Sequence, residues 1–425
     1  MRVRHLNVSR QDRSMITEGR DASGRLPPER AAEPGRLGLI ARGGAADELG
    51  RQIATVAFAF RGYDLTNQGR SHELLEHRAF GPVVRAKLDE ASAICSEALG
   101  ARIDLAARVR SRSPSTLETY AQDAAMIVAM ELAQVRLLEE FFGIEIGRAC
   151  LSFGYSIGEV SALIAAQVYR MDQLLPVLLG LAEDTASLVV DTTMGILFTR
   201  GPALPIEEVE RLCRRISSQG LGLIGLSALL SPNAALLIGQ GDTVDRFGIA
   251  MTDGLTVKAS LRRKPNRFPP LHTSLVRQRS IPNRAAVALY NISGGDQAPS
   301  PKLVSCVTGA ASYTEWNSRE ILIDWTDHPQ RLWDVVDRTL ASETRLIVHV
   351  GPEPTLIPAT FSRLSENVIE FMRSRRLEHV GRYVIPGLSR HTWLTRMLPA
   401  GAALIRAPFV THLILEDWLV AQDVP

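Results

Sequence analysis

RACLSFGYSIGEVSALIAAQVY, residues 148–169, changes character halfway along its length. Up to Phe153 it is apolar and short, as a buried strand is; from Val160 it is alanine-rich and helix-forming. Gly154-Tyr155-Ser156-Ile157-Gly158 lies at the join and has the G-x-S-x-G spacing of a nucleophile elbow. A serine on so tight a strand-to-helix turn is forced into a strained backbone, and its hydroxyl projects from the sheet end. The flanking positions need glycine because a Cβ there strikes the neighbouring strand and helix. The N–H of Ile157 then points at a developing oxyanion, with the dipole of the following helix behind it. Average glycine and serine usage produces the pattern by chance about 0.1–0.2 times in a chain this long, so the flanking strand and helix carry the reading. The competing reading is a serine in an ordinary helix-entry turn, with glycines kept for packing.

Upstream, ATVAFAF (54–60) reads as a buried strand ending at a Gly62 turn. Residues 71–99 and 116–143 are helical in period, with Gly143 as a stop. Strand, helices, strand, sharp turn and helix, in that order, predict an α/β domain with a parallel sheet. From about residue 193 the rhythm changes. GILFTR, GLIGLSALLSP, AALLIGQ and LTVKASL (255–261) read as strands, and 205–219 and 242–251 as helices. The order βαββαβ is the ferredoxin-like pattern. It interrupts the larger domain, which resumes with PKLVSCVTG (301–309) and TRLIVHVGPEPTL (344–356). The expected division is a poorly ordered extension at 1–50, a core at 51–190 and 258–365, a ferredoxin-like subdomain at 191–257, and a C-terminal extension at 366–425.

The 425 residues carry a formal net charge of +2, which removes any bulk-charge argument for a nucleic-acid partner. Cys95, Cys150, Cys213 and Cys306 are widely spaced with no CxxC pair, a pattern that suits free thiols in a reducing compartment. No HExxH, metal-spaced histidine pair or Walker glycine loop occurs, so neither a metal nor a nucleotide cofactor is expected. No apolar run of roughly 18–20 residues and no secretory signal is read, which leads to the expectation of a cytoplasmic protein without a membrane partner.

GYSIGEVSALIAAQVYRMDQLL resembles the G-H-S-x-G-E block of the malonyl-CoA:acyl carrier protein transacylase family, with Glu159 at the family's glutamate. Other blocks fall in family order: VAFAFRGY (56–63), TYAQDAAMIVAMELA (119–133), PPLHTSLV (269–276), VSCVTG (304–309) and HVGPEPTL (349–356). The resemblance spans 54 to about 360. It implies an α/β-hydrolase-like core with an inserted ferredoxin-like subdomain, and acyl transfer from coenzyme A to acyl carrier protein in fatty acid or polyketide synthesis. Ser156 is then the nucleophile and His272 its base, oriented by a backbone carbonyl near Trp325, ahead of His328-Pro329. The backbone N–H groups of Ile157 and Tyr63 form the oxyanion hole, and Gln122, Tyr155 and Leu181 face the substrate. Coenzyme A thioester is a substrate, no cofactor is required, acyl-CoA and acyl carrier protein are the partners, and a monomer is expected.

Three departures from the family pattern bear on chemistry. The opening loop F-P-G-Q-G-S-Q is replaced by Phe60-Arg61-Gly62-Tyr63-Asp64-Leu65-Thr66, and the histidine before the nucleophile by Tyr155. The arginine that clamps a malonyl carboxylate in the family aligns with Leu181, and no Arg or Lys occurs between Met171 and Thr199. A buried carboxylate without a cation costs several kcal/mol, so leucine there favours an uncharged acyl group, unless Arg61 or a cation of LRRKPNR (261–267) substitutes. That basic stretch reads either as a solvated turn or as a contact of Arg262, Arg263, Lys264 and Arg267 with coenzyme A phosphates or an acidic carrier protein. Two other functions fit the same residues: an acyl-carrier-protein acyl hydrolase, and a catalytically degenerate scaffold subunit.

Overall fold

The computed structural model describes residues 45–265, 267–378 and 402–424. Its strands are β1 (Val56–Phe60), β2 (Leu151–Gly154), β3 (Thr192–Thr199), β4 (Ile224–Ser231), β5 (Ala234–Gln240), β6 (Ala259–Lys264), β7 (Leu303–Val304), β8 (Leu346–Val350) and β9 (Thr411–Ile414). Five of them form a sheet in the order β7-β2-β1-β8-β9, with every pairing parallel. β1 and β8 are buried along their whole length, as sheets covered by helices on both faces require. Alternation splits β1 between two cores: Val56, Phe58 and Phe60 pack on one face, Ala57 and Ala59 on the other.

Phe60 is in register with both Gly154 and Val350, so three loops leave the C-terminal edge of the sheet together. Chain order also reverses at β1, and ligands of open α/β sheets bind at such a switch point. Residues 71–99, read as one helical stretch, form two helices, Ser71–Glu76 and Gly81–Leu99. Gly143 ends the helix Tyr120–Phe142 in a left-handed conformation at φ 64°, where glycine avoids the Cβ penalty.

The remaining four strands form an antiparallel sheet in the order β4-β5-β3-β6. With the helices Ile206–Ser217 and Thr243–Gly254 packed on it, this is the ferredoxin-like arrangement. Its last strand lies later than the sequence reading put it. The β3–β6 register runs from Thr199↔Ala259 to Met194↔Lys264, so the subdomain extends through 264 rather than 257, and Arg262, Arg263 and Lys264 belong to a strand and not to a turn. Charged side chains are tolerated there because β6 is an edge strand, where charge also discourages further pairing.

Two other expectations change. Part of the expected N-terminal extension is the helix Ala45–Arg51, whose Leu49 is buried in the core; the rest of it, 1–44, lies outside the described residues. Of the expected C-terminal extension, residues 411–420 join the core, because β9 pairs with β8 and the helix Leu415–Val420 buries Leu415, Trp418 and Leu419; residues 379–401 lie outside the described residues. A strand as short and mixed as THLI lacks the apolar run that marks a core strand, and only its pairing partner reveals it. Residues Met171–Asp191 are long and apolar enough to cross a membrane by length and composition, contrary to the sequence reading. Here they pack against Gly81–Leu99, Tyr120–Phe142 and Ile281–Tyr290 as a core helix.

Candidate active site

β2 ends at Gly154 and the helix Ile157–Ala165 begins three residues later. Between them Ser156 has φ 56° and ψ −122°, a conformation that a non-glycine residue adopts only when its surroundings enforce it. The surroundings here are backbone. A Cβ at position 154 would enter the backbone of Gly158 and Glu159, and one at 158 would enter the carbonyls of Phe60 and Arg61. Both glycines are therefore required by close approach, as the motif demands.

The serine hydroxyl meets the imidazole of His272, with Oγ 2.8 Å from Nε2. Nδ1 of His272 lies 2.7 Å from the carbonyl oxygen of Trp325. A carbonyl only accepts, so Nδ1 carries the proton and Nε2 keeps the lone pair that receives the serine proton. Burial pulls the His272 pKa down from the usual 6.5 to about 4, opposed by the Trp325 carbonyl, which leaves the ring neutral at ordinary pH. The backbone holds the histidine as tightly as the serine: His272 has φ 64°, and its N–H donates to Thr326 O at 2.8 Å. Trp325 also binds the other partner, its indole Nε1 donating to Ser156 O at 3.0 Å.

The Ile157 and Tyr63 N–H groups find no protein acceptor among the described residues. Their loops meet: a Cβ on Gly62 would lie 2.8 Å from the Tyr155 carbonyl, and Tyr155 N donates to Phe60 O at 3.1 Å. The divergent opening loop is held from inside. Arg61 is 3% exposed and donates to the carbonyls of Gly62, Thr66 and Pro352 and to Asn67 Oδ1. So engaged, Arg61 is not available to clamp a substrate carboxylate. Below it lies the fully buried Glu131, whose pKa burial raises to about 8. Glu159 is likewise buried, with Oε1 accepting from Tyr313 Oη at 2.9 Å and Oε2 from Cys306 N at 3.1 Å; it ties the elbow helix to the segment after β7.

The other sequence candidates scatter. Tyr155 packs beside Gly62 at the elbow. Gln122 is half-buried in the first turn of Tyr120–Phe142 and has no hydrogen bond to the dyad. Leu181 walls a small cavity of about 30 Å³ with Val160, Leu174, Val177, Leu289 and Trp325, and no charged residue lines it. Leu181 and Val177 also line a surface groove with Arg284, whose guanidinium is taken by Asp184 and the Gly180 carbonyl. Arg262, Arg263 and Lys264 are exposed on β6. Arg263 pairs with Asp245, and Arg267 donates to Val190 O. Asp324, Asp327 and His328 bring ligand-type atoms within 4.8 Å of one another, but Asp327 is already paired with Arg277 and His328.

Sequence reasoning missed Gln330. Its Oε1 accepts from Ser156 N at 3.0 Å, and its Nε2 lies 3.3 Å from His272 Nδ1. Its place just after His328-Pro329 was the available signal, but no local pattern says that this amide reaches an elbow 174 residues away.

No protein-family model and no curated protein matches this sequence. Solved structures do. FabD from Acinetobacter baumannii superposes with a TM-score of 0.58 at 18% identity, covering 84% of this chain and 99% of that one. An acyl carrier protein S-malonyltransferase from Vibrio cholerae gives 0.57 at 21% identity, covering 72% and 92%. A malonyl transacylase in complex with the acyl carrier protein of a type II polyketide synthase gives 0.55 at 22%, covering 72% and 91%.

Proposed function

We propose, for a chain with the fold of the malonyl-CoA:acyl carrier protein transacylases, that it transfers an acyl group between coenzyme A and an acyl carrier protein through an acyl-Ser156 intermediate. The observation that carries this reading is the dyad itself: a positive-φ serine with Oγ 2.8 Å from a neutral His272 whose Nδ1 is held by a backbone carbonyl. His272 takes the Ser156 proton as Oγ attacks the thioester carbon, and the N–H groups of Ile157 and Tyr63 receive the oxyanion. His272 returns the proton to the departing coenzyme A thiolate. The carrier-protein thiol then enters by the same steps in reverse. Such a dyad weighs against a degenerate scaffold, which has no need of a strained serine.

The acyl group in this reading is uncharged. Its support is the wall around Leu181, which no charged side chain lines, with Arg61 buried and fully engaged and Arg284 paired. Exposed cations on β6 supply the phosphate or carrier-protein contact.

The test is intact-protein mass spectrometry after brief incubation with malonyl-, acetyl-, propionyl- and hexanoyl-CoA. The expected result is a single adduct from the monocarboxylic thioesters, lost in Ser156→Ala, with malonyl loading at least tenfold slower. Leu181→Arg should narrow or reverse that preference. Efficient malonyl loading by the wild type would overturn the uncharged-acyl reading. Absence of any adduct, together with no labelling by a fluorophosphonate, would overturn the catalytic one. An adduct discharged equally fast with and without carrier protein would instead identify a hydrolase.

A further inference from the structure

Gln330 belongs to two parts of the molecule at once. Its backbone extends the small subdomain: Gln330 N donates to Ser227 O at 2.9 Å, Leu229 N donates to Gln330 O at 2.8 Å, and Ala228 and Gln330 form a parallel bridge. All three partners lie on β4. The His272 loop leans on the same strand, with Ser227 Oγ donating to Leu271 O at 3.4 Å and Thr273 Cβ 3.3 Å from where a Cβ on Gly225 would sit. The side chain of Gln330, fully buried, points the other way, into the dyad.

The chemistry of its two ends is fixed by what they face. Ser156 N–H can only donate, so the amide oxygen must be turned to it, and the NH₂ is thereby turned to His272. Nδ1–H of His272 is already given to Trp325 O at 2.7 Å. The Gln330 NH₂, 3.3 Å from Nδ1, therefore faces another donor and makes no hydrogen bond with it. Its positive edge opposes a second proton on the ring. The amide thus does two things: it anchors the nucleophile's own N–H, and it keeps the base in its neutral tautomer.

We propose that Gln330 is the positioning residue that couples the small subdomain to the nucleophile, so that the seating of β4 sets both the rotation of the elbow at Ser156 and the protonation of His272. The proposal rests on the acyl-transfer reading for its purpose, but not for its physics. A carbonyl oxygen of defined position at Ser156 N needs a buried amide or carboxylate, and β4 is what aims it.

Gln330→Glu and Gln330→Leu test it, read by titration of His272 in the ¹⁵N-histidine NMR spectrum of the folded chain, with His272→Gln for assignment, and by the rate of Ser156 labelling with a fluorophosphonate across pH. A carboxylate at 330 accepts from Ser156 N–H and Nδ1–H together. It should move the His272 titration, and with it the acidic limb of labelling, up by about one pH unit or more while the fold is retained. Gln330→Leu leaves Ser156 N–H without an acceptor and should slow labelling by about tenfold to a hundredfold, with the thermal midpoint showing whether the chain is still folded. A Gln330→Glu titration that coincides with wild type overturns the proposal, whatever the leucine variant does. If the titration moves but the wild type is acylated by no thioester, the acyl-transfer reading fails and the positioning role stands.

Discussion

Acidification separates a desolvated catalytic imidazole from an ordinary one by a wide margin. With burial holding His272 at about 4 rather than 6.5, about nine-tenths of the ring is neutral at pH 5; an unperturbed histidine would be about 3% neutral there, a roughly 30-fold difference in competent base. Single-turnover acylation of Ser156 by a monocarboxylic acyl-CoA should therefore stay nearly flat from pH 7.5 to pH 5 and fall about tenfold per unit only below pH 4. The same burial has a thermodynamic counterpart. Between pH 4 and 6.5 the unfolded chain binds a proton at this residue that the folded chain refuses, so stability rises with pH through that window. The contribution is fully present above about pH 6.5, and about 2 kcal/mol of it is gone by pH 5. His272→Gln removes that dependence. Urea unfolding of wild type and His272→Gln at pH 8 and pH 5 should thus show a stability difference that changes by about 2 kcal/mol in the variant's favour on acidification. Other buried titrating groups, Glu131 and His412 among them, cancel in the comparison. An acidic limb centred near 6.5, or a difference that does not change with pH, would refute a buried, neutral base at 272.

Gly158→Ala should abolish Ser156 labelling and destabilise the fold by about 4 kcal/mol or more, because the new Cβ has only the backbone carbonyls of Phe60 and Arg61 to displace; urea unfolding and labelling stoichiometry check both halves. Reversing Arg262 and Arg263 to Glu should raise the KM for acyl carrier protein about tenfold and remove its salt dependence, while hydrolysis of a small ester stays within twofold. The exposed Arg263–Asp245 pair lost in that variant is worth about 1 kcal/mol at most, so the fold should survive.

The elbow turn and the two-part α/β organisation were legible locally, whereas His272 was singled out only through the family resemblance. Both are written in short-range chemistry: glycines where a Cβ has no room, a hydroxyl between a strand and a helix, a short apolar run at β1. Tertiary structure decided whatever depends on a distant partner. Thr411–Ile414 is too short and mixed in polarity to be placed from sequence, and it becomes β9 only because β8 offers an open parallel edge. Arg262, Arg263 and Lys264 look like a turn and become an edge strand because β3 offers the register. Arg61 reads as an available cation until four acceptors from two segments are folded around it. Gln330 is marked only by its place after His328-Pro329, since a buried amide takes its meaning from the donor it meets. Backbone sterics act over a few residues, so sequence alone determined where the strained Ser156 stands. Hydrogen-bond satisfaction of buried groups is settled only when the whole chain closes around them, and that closure decided what holds Ser156 and His272 in place.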